Sequence, residues 1–270
     1  MVGAISDRLK RPIRVAKYNE ETESDFSTNR RNPPQLIFVR LLQDKCTISI
    51  DSSGDLLHRR GYRLAVAKAP LRETLAAGMI LASGWDRVSP LLDPFSGSGT
   101  IPIEAALMAQ QIHPACKRHF AFMDWPNFDR TSWDALFSDA LSSHPTTFPR
   151  IIASDRDAGA IRAAQANAER AGVGDCIEFT CRAISAIEPP PGPGWVVTNP
   201  PYGLRTKTNQ DLRNLYAQFG RVLRAKCPGW QVTMLCSSVQ LLHHTGLELD
   251  KGIPLMNGGI RVRLAKGTVK

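Results

Sequence analysis

The chain has 270 residues, of which 43% are hydrophobic and 22% charged, enough apolar material for a full core and too much for a disordered or fibrous chain. Its 34 Lys and Arg against 25 Asp and Glu leave +9 at pH 7, a balance that suits a polyanionic partner but is also met in ordinary basic soluble proteins. No stretch is apolar enough to span a membrane, the start MVGAISDRLKRPIRV has no signal-peptide core, and the six cysteines form no CxxC pair, so a membrane protein, a zinc site and a disulfide frame are set aside and a cytoplasmic protein with buried, reduced thiols is expected.

In chain order, PIRVAKY, QLIFVRLLQ and KCTISIDSS are strand-like, and the polar ETESDFSTNRRNPP lies among them. Three strands without a covering helix make a poor independent domain. Residues 1–63 are therefore expected to be the tail of a small α+β module whose beginning is missing, joined through LLHRRGYR to a main domain over 64–270. In that domain APLRETLAAGMILASGW sets Leu71, Leu75, Met79 and Ile80 at helical spacing after a proline. LLDPF reads as a buried strand and TIPIEAALMAQQI as the helix after it. RIIASD, CIEFTCR, GWVVTN and WQVTMLCS read as four more strands. DAGAIRAAQANAERAG and QDLRNLYAQFGRVLRAK are the helices among them, the first closed by Gly172. The end, GLELDKGIPLMNGGIRVRLAKG, predicts two strands around Asn257-Gly258-Gly259. This alternation predicts an α/β fold: a mostly parallel sheet with helices on both faces and a terminal antiparallel hairpin. Ligands bind such sheets beyond the carboxyl ends of the strands, where DPFSGSG and NPPYG both fall.

Three stretches carry chemistry. In LLDPFSGSGT, Gly97 and Gly99 let the backbone approach a ligand at a helix N-terminus, while Asp93 can accept from a ligand ammonium; a tight strand-to-helix turn is the plainer alternative. The third glycine of a dinucleotide fingerprint is absent. Asp155, at the tip of RIIASD, can take the two hydroxyls of a ribose or cap the following helix. In TNPPYG the two prolines end the strand. Beyond terminating it, the Asn199 side-chain oxygen and the Pro200 carbonyl can share one NH₂ group while the Tyr202 ring stacks on the plane that carries it. Such a clamp aims the nitrogen lone pair at an electrophilic methyl, and alignment supplies much of the rate. Because the ring is what stacks, Tyr202→Phe is expected to be mild. Arg205 and Lys207, just beyond, suit phosphate or are solvated loop charges.

LLHRRGYR, APLRETLAAGMIL, LLDPFSGSGTIPIEAA, the aromatic insertion HFAFMDWPNFDRTSW, ASDRD and TNPPYG, in this order, resemble the THUMP-associated RNA methyltransferases, which include the bacterial 23S rRNA guanine-N2 methyltransferases and their tRNA relatives. The resemblance implies a Rossmann-like catalytic domain that uses S-adenosyl-L-methionine, with a shortened THUMP-like RNA-binding segment at residues 1–63. It places Asp93, Phe95, Gly97, Gly99 and Thr100 in the cofactor loop, Asp155 at the ribose, Arg72 near the methionine end, and Asn199, Pro200 and Tyr202 at the target amine. The family commonly has an Asp after the third strand to receive the adenine NH₂; Ala183 stands there in this chain. The implied activity is methylation of a guanosine N2 in RNA, first in 23S rRNA and next in tRNA, with no metal. DNA adenine-N6 methylation, or a catalytically weak RNA-binding remnant, are the alternatives.

Overall fold

The computed structural model describes residues 35–63, 71–114, 116, 118–141, 148–202 and 209–270. Their contacts divide into two compact units: the described residues of Met1–Leu56 with His119–Arg130, and those of Leu57–Arg118 with Thr131–Lys270.

In the first unit, β1 (Ile37–Leu42) and β2 (Lys45–Ile50) pair antiparallel from Ile37↔Ile50 to Leu42↔Lys45. Gln43 and Asp44 both have positive φ, as a two-residue hairpin turn requires. The aromatic insertion packs here. Phe122 N–H donates to the Ser52 carbonyl at 3.1 Å, and Trp125 Nε1 donates to Gln35 Oε1 at 2.7 Å. The Phe120 and Phe122 rings stack with centroids 5.3 Å apart. Sequence periodicity finds both strands but has no means of pairing them with a segment some seventy residues onward. The expected strand PIRVAKY lies outside the described residues.

The second unit is built on a seven-stranded sheet in the order β5-β4-β3-β6-β7-β9-β8. Its strands are β3 (Leu91–Asp93), β4 (Ile151–Asp155), β5 (Ile177–Cys181), β6 (Trp195–Thr198), β7 (Gln231–Cys236), β8 (Ile253–Asn257) and β9 (Ile260–Thr268). The first five are parallel and β9 runs antiparallel to β7 and β8, so the expected parallel sheet with a terminal hairpin is borne out. The helices are α1 (Glu73–Ser83), α2 (Thr100–Ala109), α3 (Arg130–Leu141), α4 (Ala158–Ala171), α5 (Asn209–Lys226) and α6 (Val239–His244). Among these, α3 has no counterpart in the sequence reading.

Strand alternation builds two cores, one on each face of the sheet. Leu91, Ile151, Val197, Leu235 and Leu264 join residues of α1, α2 and α4 on one face. Leu92, Ile152, Val196, Met234 and Ala265 join Leu212, Tyr216, Phe219 and Leu223 of α5 on the other. The cysteine expectation needs correction. Only Cys227 and Cys236 are buried, whereas Cys46, Cys116 and Cys181 are exposed and Cys176 is half-buried, because the others sit on the first unit, in loops and at the end of edge strand β5.

Candidate active site

After β5 the chain crosses to the opposite side of β3 and lays down β6. Loops following adjacent strands diverge at such a reversal, which is where open α/β sheets bind their ligands. DPFSGSG follows β3 and NPPYG follows β6, so the two motifs leave paired strands, with Leu91↔Trp195 and Leu92↔Val196 in register. A hydrogen bond ties them. Thr198 Oγ1 donates to Asp93 Oδ1 at 2.6 Å, both groups being buried. Asp93 also accepts from Phe95 N–H at 3.2 Å. Burial pushes the Asp93 carboxyl up to about 7, against the pull of these two donors, and the charge of Asp155 adds to the rise.

Asp155 sits on the other side of the glycine loop. Its Oδ2 accepts from Gly97 N–H at 2.9 Å and its Oδ1 from Asp157 N–H at 3.0 Å. The helix cap is Asp157, whose side chain accepts from Gly159 and Ala160 at the start of α4, so the capping alternative for Asp155 is set aside. A carboxylate has about four lone-pair sites, and two donors leave acceptor capacity for hydroxyls. Arg182 N–H donates to the Asp155 carbonyl at 2.9 Å, which brings exposed Ala183 to the same end of the sheet.

The two glycines serve different ends. Gly97 has φ 51°, and a Cβ added there would meet no atom within 4 Å. Gly99 has φ 83°, and its Cβ would lie 2.9 Å from the Ala164 Cβ of α4; it is needed for packing the loop against that helix. Thr100, buried, opens α2. The Ser98 carbonyl accepts from Asn167 Nδ2 at 3.0 Å, and Arg170 links Asn167 Oδ1 to the Tyr62 carbonyl. Tyr62 in turn donates to Glu104 Oε1 at 3.0 Å. Arg60 Nε lies 2.8 Å from the same oxygen as an ion pair, without the alignment of a hydrogen bond. The HRRGYR stretch thus braces α2 and the loop in front of it.

Asn199 stands at the end of β6. Its Oδ1 is buried and has no hydrogen-bond partner among the described residues; the same holds for Ser96 Oγ in the glycine loop. Buried polar atoms are almost always paired, so the open oxygen fits a ligand N–H. Pro200 is buried beside it. Tyr202 is less accessible than a stacking platform would be. Its side chain belongs to the core with Val197, Leu235 and Val262, it is 7% exposed, and its hydroxyl accepts from Asn257 Nδ2 at 2.7 Å. Phe95 rests on Phe219 of α5 at 5.7 Å between ring centroids, and Arg72 is exposed at the head of α1. Arg205 and Lys207 lie outside the described residues.

Sequence reasoning missed Thr198, Asn167 and Asn257. Thr198 directly precedes the clamp asparagine and could have been noticed. Asn167 carries no signal within an alanine-rich helix, and Asn257 reads only as a turn residue.

Residues 60–266 match the family described as RMKL-like, methyltransferase domain. The chain belongs to this family. It is 37% identical over 253 residues to the ribosomal RNA large subunit methyltransferase K/L of Shewanella frigidimarina (strain NCIMB 400), covering 91% of this chain and 35% of that protein. It is 41% identical over 252 residues to the protein of the same name from Shewanella sp. (strain W3-18-1), covering 91% and 36%. The chain thus spans about a third of the length of these curated relatives. A crystal structure of SMU.472 in complex with SAH is similar with a TM-score of 0.82 and 27% identity, over 100% of this chain and 68% of that one. The RMKL-like methyltransferase domain accounts for the order of the motifs and for the sheet with its terminal hairpin. The family resemblance drawn from those motifs is borne out.

Proposed function

We propose that this chain methylates an exocyclic amine of an RNA base, with S-adenosyl-L-methionine as methyl donor, and that the product is N2-methylguanosine in large-subunit ribosomal RNA. The observation that carries the reading is the buried Asn199 Oδ1, which has no hydrogen-bond partner among the described residues, at the end of a strand bonded through Thr198 to the Asp93 loop. The names of the Shewanella relatives supply the substrate class, and the net charge of +9 suits RNA.

S-adenosylmethionine supplies an electrophilic sulfonium methyl. Asp93 and the Gly97–Gly99 turn, with Phe95 and Thr100, would hold its amino-acid arm beside Arg72. Asp155 would accept from the ribose hydroxyls, and the backbone around Ala183 would meet the adenine. Asn199 Oδ1 and the Pro200 carbonyl would accept the two N–H bonds of the target amine and keep its lone pair aimed at the methyl. No strong base is required, because the leaving thioether is neutral and the surplus proton can pass to water once the new N–C bond has formed. A base in structured RNA must first be turned out of its stack. Residues 1–63 are assigned to a THUMP-like RNA-binding segment, 64–270 to the catalytic domain, and Arg205 and Lys207 to phosphate contacts.

The test is transfer from tritiated S-adenosylmethionine to undermodified ribosomal RNA, tRNA and DNA, followed by nucleoside mass spectrometry. N2-methylguanosine in ribosomal RNA is expected. Label recovered as N6-methyladenine in DNA would overturn the assignment.

A further inference from the structure

We propose that Asn257, at the tip of the β8–β9 hairpin, is a positioning residue for the methyl-acceptor loop and acts through Tyr202. The proposal rests on the reading of residues 199–202 as the amine clamp.

The hairpin is placed for this role. β9 pairs with β7 only as far as Cys236↔Arg263, so Ile260 to Val262 and their partners Leu255 to Asn257 extend past the carboxyl end of β7. That is the end of the sheet where NPPYG leaves β6. Gly258 and Gly259 turn the chain in two residues with φ 55° and 81°, and Asn257 faces Ile260 across this tight turn. A two-residue turn between paired strands leaves Asn257 little freedom.

Among the described residues the Asn257 side chain makes one hydrogen bond. Asn257 is 8% exposed, and its Nδ2 donates to Tyr202 Oη, a group equally buried. Burying an amide against a phenol gains little over an apolar pair of the same shape, so the pair is not needed for packing alone. What it adds is direction: the ring is pinned at its far end, while Tyr216 Oη of α5 donates to the Pro201 carbonyl at 3.4 Å on the other side of the peptide. Held at both points, the Asn199–Tyr202 segment cannot swing, and the Asn199 oxygen and Pro200 carbonyl keep their aim. Small misplacements of reacting groups cost large factors in rate. The hairpin thus belongs to the active site although it contributes no atom to the reaction.

Two variants separate positioning from simple stability. Asn257→Leu removes the donor. The double variant Asn257→Leu/Tyr202→Phe removes both polar groups of this hydrogen bond and leaves an apolar pair in its place. The expected result is a double variant that unfolds at the wild-type denaturant midpoint and binds SAH within about twofold of wild type, yet turns over about 10-fold more slowly with unchanged KM for RNA. The single Asn257→Leu should be no faster than the double, because both lose the same restraint. A double variant with wild-type stability and wild-type kcat overturns the proposal while leaving the clamp intact. A wild-type protein that transfers methyl to neither RNA nor DNA overturns the clamp reading and this one with it.

Discussion

Asn199 carries the sharpest expectation at the level of single residues. Its buried Oδ1 has no partner among the described residues; on the proposed reading it accepts from the target amine, so Asn199→Ala should leave SAH affinity nearly unchanged and lower the single-turnover rate by orders of magnitude. Undiminished transfer by this variant would remove the residue from the chemistry. Asp155 behaves oppositely. Asp155→Ala frees the Gly97 and Asp157 amides and, on the proposed reading, deletes an acceptor for the ribose hydroxyls. Calorimetry should show SAH binding weakened by about 1.5–3 kcal/mol, and equal affinity would count against the ribose assignment. Tyr202→Phe, which looks mild from the sequence, is not conservative here. It strands the buried Asn257 Nδ2, and urea denaturation should register a loss of about 1–3 kcal/mol.

Among the elements, the β3–α2 loop shows how one motif divides its work. Gly97→Ala meets open space, so its cost to folding should be only the strain of a left-handed backbone, about 1–2 kcal/mol. On the proposed reading of this loop as the cofactor turn, SAH affinity should fall further than stability, and equal losses in the two would count against it. Gly99→Ala bears the same strain and also drives a methyl group to 2.9 Å from Ala164 on α4. The ordering of thermal midpoints should be wild type, then Gly97→Ala, then Gly99→Ala. If Gly99→Ala proves the more stable of the two, the close packing of this loop on α4 is not what the glycine serves.

Three buried carboxyls, Glu73, Asp93 and Glu104, give the whole molecule a characteristic dependence on pH, burial raising each above its ordinary range. Burial pushes Asp93 and Glu104 each up to about 7, in the latter case despite Arg60 and Tyr62 at its side. Their unfolded values lie near 4, so between about pH 4 and 7 the folded state binds more protons than the unfolded one. Stability should therefore fall as pH rises through this window and level off above it. Glu178 and Glu188, held below their ordinary range by Arg150 and Arg182, push the other way only at more acidic pH. Glu104→Gln keeps an acceptor for Tyr62 and removes one of these titrations. Chemical denaturation between about pH 5 and 7.5 should show a shallower slope for this variant than for wild type. An identical slope would mean that Glu104 titrates in its ordinary range.

What the sequence determined by itself was local. Helical spacing in APLRETLAAGMIL, short β-branched strands, Gly172 as a helix stop and the Asn257-Gly258-Gly259 turn each express a preference of a few neighbouring residues, and all reappear in the structure. The DPFSGSG and NPPYG motifs were legible for the same reason, since each is a contiguous run at a strand end. The helix Arg130–Leu141 was legible too, since Trp133, Leu136, Phe137, Ala140 and Leu141 fall at helical spacing; its start lies inside the aromatic run HFAFMDWPNFDRTSW, which hides the boundary. Only the tertiary structure decided which distant residues meet: Thr198 with Asp93, Gly97 with Asp155, Asn167 with Ser98, and Asn257 with Tyr202. Those pairings depend on the order of strands in the sheet, a global packing outcome that leaves no periodic trace along the chain. It was strand order, too, that turned Tyr202 from an exposed ring into a buried one held by the last hairpin.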